Sequence, residues 1–472
     1  MRRTKIVCTL GPASLREEML EKMLKNGMNV ARLNFSHGTH EYHKKSIELF
    51  RSVRDRLGLP AAIMLDTKGP EIRVGDFEGG ATELVTGDDF TLTTRDILGN
   101  SREVSVTCKN LPSQLSVGKR ILIDDGRILL TVKECTETDI LCRVDDGGPV
   151  SNHKGINVPN THIDMPFLGE SDKMDLIFGI ENGVDFVAAS FVRTGADVVE
   201  MRKFLDYHGG HAIKIISKIE NIEGVNNFDQ ILKHSDGIMV ARGDMGVEID
   251  YEKLPGLQKK FIRKCYQSGK MVITATQMLE SMIHSATPTR AEITDVANAV
   301  FDGTSAIMLS GETAIGDHPD KVVKVMAKIA KQAETDAFEM DAYRGFQHET
   351  NASDITNAIC DAACTTARDV GARAIIAVTK SGRTARRVSK FRPHELIIAA
   401  TPEQKTFHQL SLSWGVYPVL ALNQNSEESL FVHAVDCAKQ IDAVKAGDCV
   451  VITAGVPVNT SGNTNLLKVA TV

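Results

Sequence analysis

Residues 214–244, KIISKIENIEGVNNFDQILKHSDGIMVARGD, contain two short apolar runs, KIISKIE (214–220) and GIMVARGD (237–244), that both end in charged residues. Each run is rich in Ile, Val and Ala, as expected of strands that are covered on both faces of a parallel sheet. Their length suits a strand better than a buried helix. This stretch therefore predicts a strand–helix–strand unit.

The same pattern recurs through the first two thirds of the chain. The eight apolar runs are KIVCTL (from 5), NVARLNFS (from 29), AAIMLDT (from 61), FVAASFV (from 186), KIISKIE (from 214), GIMVARGD (from 237), MVITATQ (from 271) and SAIMLSGE (from 305). Helix-like segments that end in glycine lie between them, and the spacing is regular except after the third run. We therefore predict an α/β protein built on a parallel (β/α)₈ TIM barrel with one inserted domain. A doubly wound open sheet is the alternative, but such a sheet usually has fewer strands, and no G-x-G-x-x-G turn follows the first run.

The chain divides into three predicted parts. The barrel takes residues 1–69 and 168–340, and the insert takes residues 70–167. Segments of the insert alternate apolar and polar residues, and Asp125-Gly126 is a hairpin signal, so we expect an all-β domain that hangs over the catalytic rim as a lid. Residues 341–472 begin with a polar linker and then alternate helix-like and strand-like segments, which predicts a C-terminal α/β domain.

Composition excludes several classes of protein. Lys and Arg total 55 against 61 for Asp and Glu, so the net charge is −6, which argues against a nucleic-acid binder. No apolar run approaches the ~18 residues of a membrane span. The nine cysteines include no C-x-x-C pair, which indicates reduced thiols in a cytoplasmic protein.

Active sites of such barrels lie at the carboxyl ends of the strands, so the ends of the runs supply the candidate residues. They are Arg32, Asn34, Ser36, His37, Asp66, Thr67, Lys68, Lys218, Glu220, Arg242, Gly243, Asp244, Thr276, Gln277, Ser310 and Glu312.

Lys218 and Glu220 lie two apart on one strand, so both point towards the barrel axis. Glu220 and Asp244, on adjacent strands, can share one hard divalent cation, most of whose coordination shell stays open to substrate and water. A metal ion with a lysine and an arginine can stabilise a transferring phosphoryl group. The alternative is that Lys218 and Glu220 only neutralise each other inside the barrel. Gly243 and Gly246 would let backbone N–H groups approach an anion, although a turn made for packing alone fits the same pattern.

Long motifs along the whole chain resemble pyruvate kinase. They are MRRTKIVCTLGPAS, MNVARLNFSHG, LDTKGPEIR, IISKIENIEG, GIMVARGDMGVEI, ITATQMLESM, PTRAEITDVANAVFDGTSAIMLSGETA and TKSGRTA. The resemblance is to a bacterial type without an extra C-terminal phosphoenolpyruvate-utilising domain. It implies the same barrel, lid and C-terminal domain, and transfer of the phosphoryl group of phosphoenolpyruvate to ADP, giving pyruvate and ATP, the last step of glycolysis.

The resemblance also implies roles for residues. Arg32 and Arg73 would hold the phosphoryl group, and Lys218 would be the main stabiliser of the transition state. The implied binding residues are Gly243, Asp244 and Thr276 for the substrate carboxylate; Glu220 and Asp244 for Mg²⁺ or Mn²⁺; Asn34, Ser36, Asp66 and Thr67 for K⁺; and Asn34, Phe35, Ser36, His37, Arg73 and Lys154 for the nucleotide. A glutamate at Glu71 accompanies K⁺ dependence in the family, so we expect K⁺ activation. Thr276, Ser310 and Glu312 are candidates for the water-mediated protonation of the enolate.

The turn TKSGRT precedes a predicted helix and offers N–H and O–H donors to a phosphate. The resemblance implies an allosteric pocket at Thr379, Lys380, Ser381, Gly382, Arg383 and Thr384, completed by the late loop near SGNTN. The effector would be fructose 1,6-bisphosphate, another sugar phosphate or AMP; a plain helix-starting turn without effector remains open. The assembly implied is a homotetramer.

Three functions remain to be weighed: the phosphotransferase, a metal-dependent lyase or aldolase acting on pyruvate enolate, and an inactive sugar-phosphate sensor. A lyase would need neither a lid nor two arginines aimed at a phosphoryl group, and a sensor would be expected to lose Lys218, Glu220 or Asp244. Outside the site, His40 and His43 are expected to be solvated helix residues. The acidic pair in LIDDGR is expected to stabilise a hairpin turn and not to take part in catalysis.

Overall fold

A computed structural model describes residues 1–343, 354–457 and 464–472. Most of the predicted linker (344–353) and part of the late loop (458–463) lie outside the described residues. The strands, in chain order, are β1 (Lys5–Thr9), β2 (Val30–Asn34), β3 (Ala62–Asp66), β4 (Ile72–Arg73), β5 (Ala81–Leu84), β6 (Asp89–Thr93), β7 (Glu103–Ser105), β8 (Arg120–Ile123), β9 (Ile128–Cys135), β10 (Asp139–Asp146), β11 (Gly148–Ser151), β12 (Gly155–Asn157), β13 (Phe186–Ala189), β14 (Lys214–Ile219), β15 (Gly237–Ala241), β16 (Met271–Ala275), β17 (Ala306–Leu309), β18 (Ala374–Val378), β19 (Leu396–Thr401), β20 (Val416–Leu420), β21 (Cys449–Ala454) and β22 (Leu466–Thr471).

The helices, in chain order, are α1 (Glu17–Asn26), α2 (His40–Arg56), α3 (Glu170–Glu181), α4 (Gly195–Tyr207), α5 (Ile222–Asn226), α6 (Phe228–His234), α7 (Arg242–Glu248), α8 (Leu254–Gln267), α9 (Arg290–Phe301), α10 (Gly311–Ala314), α11 (Pro319–Glu339), α12 (Ile355–Asp369), α13 (Arg383–Lys390), α14 (Gln404–Gln409) and α15 (Glu427–Gln440).

Eight parallel strands close into a barrel in the order β1-β17-β16-β15-β14-β13-β3-β2. Each strand lies within one of the eight apolar runs, so the predicted TIM barrel is confirmed. Side chains such as Met64, Phe186 and Met308 fill the barrel, and Leu412 of the C-terminal part closes its lower end. A larger apolar layer lies between the strands and the surrounding helices. Apolar side chains thus fill the barrel, and the candidate polar residues lie at the carboxyl ends of its strands.

The segment between β3 and α3 forms the predicted all-β lid. Its main sheet has the order β4-β12-β8-β9-β10-β6-β7, with a smaller β11-β5 pair beside it. The hairpin signal is confirmed: β8 pairs antiparallel with β9, and Asp125 and Gly126 adopt positive φ angles of 57° and 83° in the turn. Residues such as Phe90, Leu92 and Leu130 form a separate apolar core.

The C-terminal part is a five-stranded sheet in the order β20-β19-β18-β21-β22. Two apolar clusters cover its faces, one holding Cys360 of α12 and Ala385 of α13, the other Ala434 of α15. This is the predicted doubly wound arrangement. The sequence did not predict β22, which pairs antiparallel with β21. Its residues are largely exposed, so no continuous apolar run marks it.

Among the described residues, every helix is either too short or too polar to cross a lipid bilayer.

Candidate active site

A buried cluster of charged side chains lies at the carboxyl ends of the barrel strands. The ammonium nitrogen of Lys218 lies 2.8 Å from Oε1 of Glu220 and 3.2 Å from Oδ1 of Asp66. The Nε atom of Arg32 donates to Oδ2 of Asp66 at 2.5 Å. All four residues are buried, Lys218 and Arg32 retaining 8% exposure each. Strands β2, β3 and β14 thus bring two cations and two carboxylates together.

The carboxylates keep Lys218 charged. Burial opposes its charge, but Asp66, Glu220 and Asp244 outweigh burial and raise the pKa of the Lys218 ammonium above its usual value. Burial likewise opposes ionisation of Asp66, and the neighbouring Arg32 and Lys218 lower the pKa of this carboxyl. The site therefore favours the charged form of the Lys218 ammonium beside an ionised carboxylate of Asp66.

Glu220 lies where a cation is needed. Burial, together with the charge of nearby Asp244, raises the pKa of Glu220 above its usual value, although Lys218 acts in the opposite direction. A carboxyl that is buried and crowded by another carboxylate fits a divalent cation, which would neutralise both. The described residues contain no group of three or more His, Cys, Asp or Glu side chains that could hold a metal ion. A cation held by Glu220 and Asp244 would keep most of its coordination shell for substrate and water.

Lys218 and Glu220 do form an ion pair, as the alternative of mutual neutralisation requires. The pair is not isolated, however. Asp66 and Ser190 also contact the ammonium, and Asp244 adds a further negative charge. A pair that only neutralised itself would need none of these three additional groups.

The segment after β16 is held in a strained conformation. Thr276 and Gln277 have positive φ angles of 67° and 53°, which non-glycine residues rarely adopt, β-branched residues such as threonine least of all. The guanidinium of Arg242 donates to the carbonyl oxygens of Thr276 at 2.6 Å and Gln277 at 3.1 Å, and pairs with Asp295 at 2.7 Å. The Oγ1 atom of Thr276 accepts a hydrogen bond from the Gly243 amide at 2.8 Å. The structure thus brings Thr276 and Gly243 together.

The four residues proposed for K⁺ lie at the ends of two neighbouring strands. Asn34 and Asp66 are directly opposite each other in the β2–β3 ladder. Oδ1 of Asn34 accepts from the Ser36 amide at 3.2 Å, and Thr67 follows Asp66 directly. These side chains offer amide, hydroxyl and carboxylate oxygens, which are the ligands of hard cations.

A cleft of about 390 Å³ separates the lid from the barrel rim. It is lined by His37 and Asp244 from the barrel and by Arg73, Lys154 and Asp125 from the lid. Arg73 donates to Oε2 of Glu71 from Nε at 2.7 Å. Lys154 pairs with Asp124 at 2.8 Å. Both predicted nucleotide ligands of the lid therefore face the cleft and are paired with acidic neighbours.

Glu312 is buried below the rim and is held by backbone donors. Its Oε2 accepts from the Ser310 amide at 2.6 Å and its Oε1 from the Leu279 amide at 3.2 Å. Burial raises the pKa of the Glu312 carboxyl. The backbone amides of Ser310 and Leu279 act in the opposite direction and favour the ionised carboxylate.

The predicted allosteric turn lies between β18 and α13. Gly382 adopts a positive φ of 76° as the residue before α13, and an added Cβ would lie 2.6 Å from Arg386. Oγ1 of Thr384 lies 2.8 Å from Oγ1 of Thr464. One residue of the SGNTN loop thus meets the turn, while residues 458–463 lie outside the described part.

One residue of the histidine-rich segment, His43, is placed differently from the sequence prediction. The ring of Phe35, just before this segment, is buried, and the prediction that Phe35 contacts the nucleotide stays a prediction. His43 is buried rather than solvated: its ring stacks on Phe35 at 4.0 Å, and its Nε2 donates to the His37 carbonyl at 2.8 Å. Stacking on Phe35 and the hydrogen bond to the His37 carbonyl allow this polar ring to be buried beneath the loop after β2.

Sequence reasoning missed Ser190 and underestimated the acidic pair of the β8–β9 hairpin. Ser190 follows β13 and contacts Lys218 at 2.8 Å. Burial and the charge of Asp244 raise the pKa of Asp125, so this turn residue also faces the barrel site. The sequence signal that could have identified Ser190 is its position as a hydroxyl residue directly after a barrel strand.

Comparisons with known proteins agree with this architecture. A sequence model described as "Pyruvate kinase, barrel domain" matches residues 1–323, and one described as "Pyruvate kinase, alpha/beta domain" matches residues 357–470. A pyruvate kinase of Clostridium acetobutylicum is 48% identical, with 100% of both chains covered. One of Clostridium perfringens is 47% identical over 99% of both chains. A crystal structure of a pyruvate kinase from Cryptosporidium parvum covers 100% of this chain and 96% of its own at 41% identity, with a TM-score of 0.92.

Proposed function

The chain belongs to the pyruvate kinase family, and from this premise we propose how its residues transfer the phosphoryl group of phosphoenolpyruvate to ADP. The observation that carries the proposal is the position of Lys218. Its ammonium lies 2.8 Å from Glu220 at the rim of the barrel, beside the cleft. A charged amine next to the ligand of a divalent cation is suited to a phosphoryl group in transit.

Lys218 offsets the negative charge that develops on the phosphoryl oxygens as the group moves between enolate and nucleotide. Arg32, from the barrel, and Arg73, from the lid, hold the same group from two sides. Bound between these cations, the phosphoryl group is held in line with the enolate oxygen that it leaves and the ADP oxygen that it joins. Orientation together with charge stabilisation is the main source of catalysis in such reactions.

Glu220 and Asp244 are proposed to hold Mg²⁺ or Mn²⁺. When bound, such an ion stabilises negative charge on the enolate and phosphoryl oxygens. The raised pKa of Glu220 supports this assignment, because it reflects burial of the carboxyl and the nearby charge of Asp244, and a divalent cation would offset both.

A monovalent-cation site is proposed at Asn34, Ser36, Asp66 and Thr67. Support comes from Glu71, which accepts from the Arg73 guanidinium through Oε2 and so offsets one of the two arginine charges. An additional cation near the phosphoryl group would compensate for that loss, so we propose K⁺ activation.

Thr276 and Gly243 are proposed to bind the substrate carboxylate with Asp244. The Gly243 amide now donates to the Thr276 hydroxyl, and a carboxylate oxygen entering between them would take both donors. The strained φ of Thr276 supports a binding role, because strain of this kind persists where function requires it.

ADP is proposed to lie in the cleft against Asn34, Phe35, Ser36, His37, Arg73 and Lys154. The two lid cations are paired with Glu71 and Asp124, so nucleotide phosphates would replace carboxylates as their partners. Exchange of one anionic partner for another requires little net loss of charge pairing. The lid can therefore be recruited by the nucleotide itself.

Protonation of the enolate is proposed to use a water held by Thr276 and Ser310, with Glu312 behind it. The raised pKa of Glu312 and its fixed position on two backbone amides support this chain of donors. This assignment is separate from that of phosphoryl transfer and can be tested independently.

Phosphoryl transfer is favoured over a lyase or aldolase reaction by Arg73 and Lys154. Both belong to the lid and line the cleft that contains Asp244. A lyase acting on pyruvate enolate would bring no phosphate groups to replace the Glu71 and Asp124 carboxylates that now pair with these two cations. The retention of Lys218, Glu220 and Asp244 likewise favours an active enzyme over an inactive sensor.

Regulation and assembly follow from the family resemblance. We propose that residues 379–384 bind a phosphorylated effector, either a sugar phosphate such as fructose 1,6-bisphosphate or AMP, and that the protein is a cytoplasmic homotetramer. Light scattering of the purified chain would test the tetramer, which a persistent monomer or dimer would contradict.

The decisive experiment measures pyruvate formation from phosphoenolpyruvate and ADP, with Mg²⁺ and K⁺ varied. We expect Lys218→Ala to lower kcat by ~10³-fold or more, because removal of a charge directed at the transferring group costs several kcal/mol. Lys214→Ala is the matched control, since Lys214 lies at the opposite end of the same strand and pairs with Asp236 at 3.1 Å. Near-normal turnover of Lys218→Ala would refute the proposal.

A further inference from the structure

Ser190 is a buried hydroxyl residue at the carboxyl end of β13, with 2% of its surface exposed. Its Oγ accepts a hydrogen bond from the Lys218 ammonium at 2.8 Å. The same hydroxyl donates to the Thr67 carbonyl at 2.7 Å, with Oδ1 of Asp66 at 3.2 Å. The Ser190 amide donates to Oγ1 of Thr67 at 3.1 Å. Ser190 is therefore fixed from two directions and presents its lone pair to Lys218.

The three N–H donors of the Lys218 ammonium match three oxygen partners. These are Oδ1 of Asp66 at 3.2 Å, Oγ of Ser190 at 2.8 Å and Oε1 of Glu220 at 2.8 Å. Two of the partners are carboxylates that the proposed function also assigns to cation binding. Ser190 is the neutral partner, and the proposed function assigns no cation to it.

Phe191, the residue after Ser190, binds Glu220, the ion-pair partner of Lys218. Phe191 has a positive φ of 53°, a conformation that a bulky residue rarely adopts. In this conformation its amide donates to Oε2 of Glu220 at 2.5 Å. Two consecutive residues after β13 thus hold Lys218 and Glu220, one through a side chain and the other through a strained backbone.

We propose that Ser190 is a positioning residue that fixes the direction of the Lys218 ammonium in the active site. This inference rests on the proposed role of Lys218 in phosphoryl transfer. With Asp66 and Ser190 holding two N–H groups, the third points to Oε1 of Glu220. When Glu220 binds the proposed divalent cation, an oxygen of the phosphoryl group can take this third N–H group. Without the Ser190 oxygen, the ammonium can rotate towards Asp66 and away from the reacting group.

The test compares Ser190→Ala and Ser190→Cys with the parent protein. We expect each to lower kcat by ~10- to 100-fold, the range for losing one hydrogen bond to a charged group, with KM for phosphoenolpyruvate changed less than about threefold. The cysteine variant fills the volume of the serine but is a weak acceptor. Full activity of Ser190→Cys would overturn the proposal, because the effect of Ser190→Ala would then be one of packing.

Ser217→Ala is the matched control. Ser217 is equally buried on the neighbouring strand β14, and its hydroxyl contacts Ser235 at 2.7 Å rather than Lys218. We expect its kcat to stay within about twofold of the parent value, as for changes outside the reacting cluster. A loss equal to that of Ser190→Ala would overturn the proposal, because any buried serine would then have the same effect.

A second readout does not depend on turnover. In protein stripped of divalent cations, reductive methylation of Lys218 by formaldehyde and borohydride, quantified by mass spectrometry, should be at least ~3-fold faster in Ser190→Ala, because the amine has lost a fixed partner. An unchanged rate would overturn the proposal, because the ammonium would then be held as firmly without the Ser190 oxygen.

A double-mutant cycle separates this inference from the proposed function. If Ser190 acts through Lys218, Ser190→Ala should lower kcat by less than ~2-fold in the Lys218→Ala background. Additive losses would overturn the inference and leave the role of Lys218 intact. Normal turnover of Lys218→Ala alone would instead refute the proposed function.

Discussion

The carboxylate of Asp66 accepts a hydrogen bond from Nε of Arg32 at 2.5 Å, inside the barrel. Its other oxygen, Oδ1, lies 3.2 Å from the ammonium of Lys218. One carboxylate therefore separates two buried cations that are both proposed to face the phosphoryl group. Removing its charge would leave these cations without a shared counter-ion in a region of low dielectric constant.

Asp66→Asn is therefore expected to lower kcat by ~10²-fold or more, since the amide keeps the shape but not the charge that orients Arg32 and Lys218. Steady-state kinetics at saturating Mg²⁺ and K⁺ would measure the effect. Asp185→Asn is the control, because Asp185 is also buried and paired with a cation, Lys405, but precedes β13 at the opposite end of the barrel. A kcat for Asp66→Asn within twofold of the parent value would contradict the assignment.

Glu71→Lys is expected to reduce the dependence on K⁺. Glu71 accepts from the Arg73 guanidinium, and a lysine there would release Arg73 and add a positive charge beside the cleft. We expect the ratio of kcat with and without K⁺ to fall by at least ~10-fold relative to the parent protein, because the fixed charge replaces that of the ion.

Assays in rigorously K⁺-free and Na⁺-free buffer would give this ratio. Glu83→Lys makes the same charge change at an exposed lid position on β5, away from the cleft, and should leave the ratio unaltered. A Glu71→Lys enzyme that stays as K⁺-dependent as the parent protein would show that Glu71 does not determine the requirement.

The barrel could be predicted from the sequence because each of its strands is buried on both faces and reads as a continuous apolar run. The candidate polar residues, such as Lys218 and Glu220, could be predicted because they stand at the ends of those runs. The carboxyl ends of barrel strands are where active sites lie. Strand β22 could not be predicted, because it is an exposed edge strand without that pattern.

Other parts of the site depend on tertiary contacts that no local pattern encodes. The strained φ of Thr276 is accompanied by hydrogen bonds from Arg242, the first residue of helix α7, which follows the neighbouring strand β15. The burial of His43 depends on stacking against Phe35. Ser190 belongs to a predicted run, but its partner Lys218 becomes visible only when β13 and β14 are placed side by side.

Arg383→Glu is expected to abolish activation by a phosphorylated effector. Arg383 is exposed at the start of α13, beside the turn of residues 379–384, and reversing its charge would repel a phosphate. We expect the effector-induced change in the half-saturating concentration of phosphoenolpyruvate, typically ~5- to 150-fold for coupled sites, to fall to less than ~2-fold.

Titration with fructose 1,6-bisphosphate, glucose 6-phosphate and AMP in turn would measure this change. Arg373→Glu, an exposed arginine just before β18 in the same domain, provides a control for the reversal of charge. Undiminished activation of Arg383→Glu by an effector that activates the parent protein would place the effector site elsewhere.

His408 is expected to make the stability of the protein depend on pH below 6.5. Burial, aided by the charge of Arg54, lowers the pKa of His408 to about 4, and the amide of Gln404 donates to its Nε2 at 2.9 Å. The unfolded chain therefore binds a proton between pH 6.5 and 4 that the folded chain does not, so the free energy of unfolding falls as the pH falls through this range. The loss should be about 1–2 kcal/mol after allowance for solvent screening.

Urea unfolding followed by the fluorescence of the single tryptophan, Trp414, would measure this loss between pH 7 and 4.5. In His408→Gln the group that titrates is gone, so the difference in free energy between this variant and the parent protein should shift in favour of the variant as the pH is lowered. His211→Gln, which replaces an exposed histidine, should follow the parent protein throughout. Parallel pH profiles for the parent protein and His408→Gln would show that His408 is not the neutral, buried group that its hydrogen bond with Gln404 and the nearby charge of Arg54 indicate.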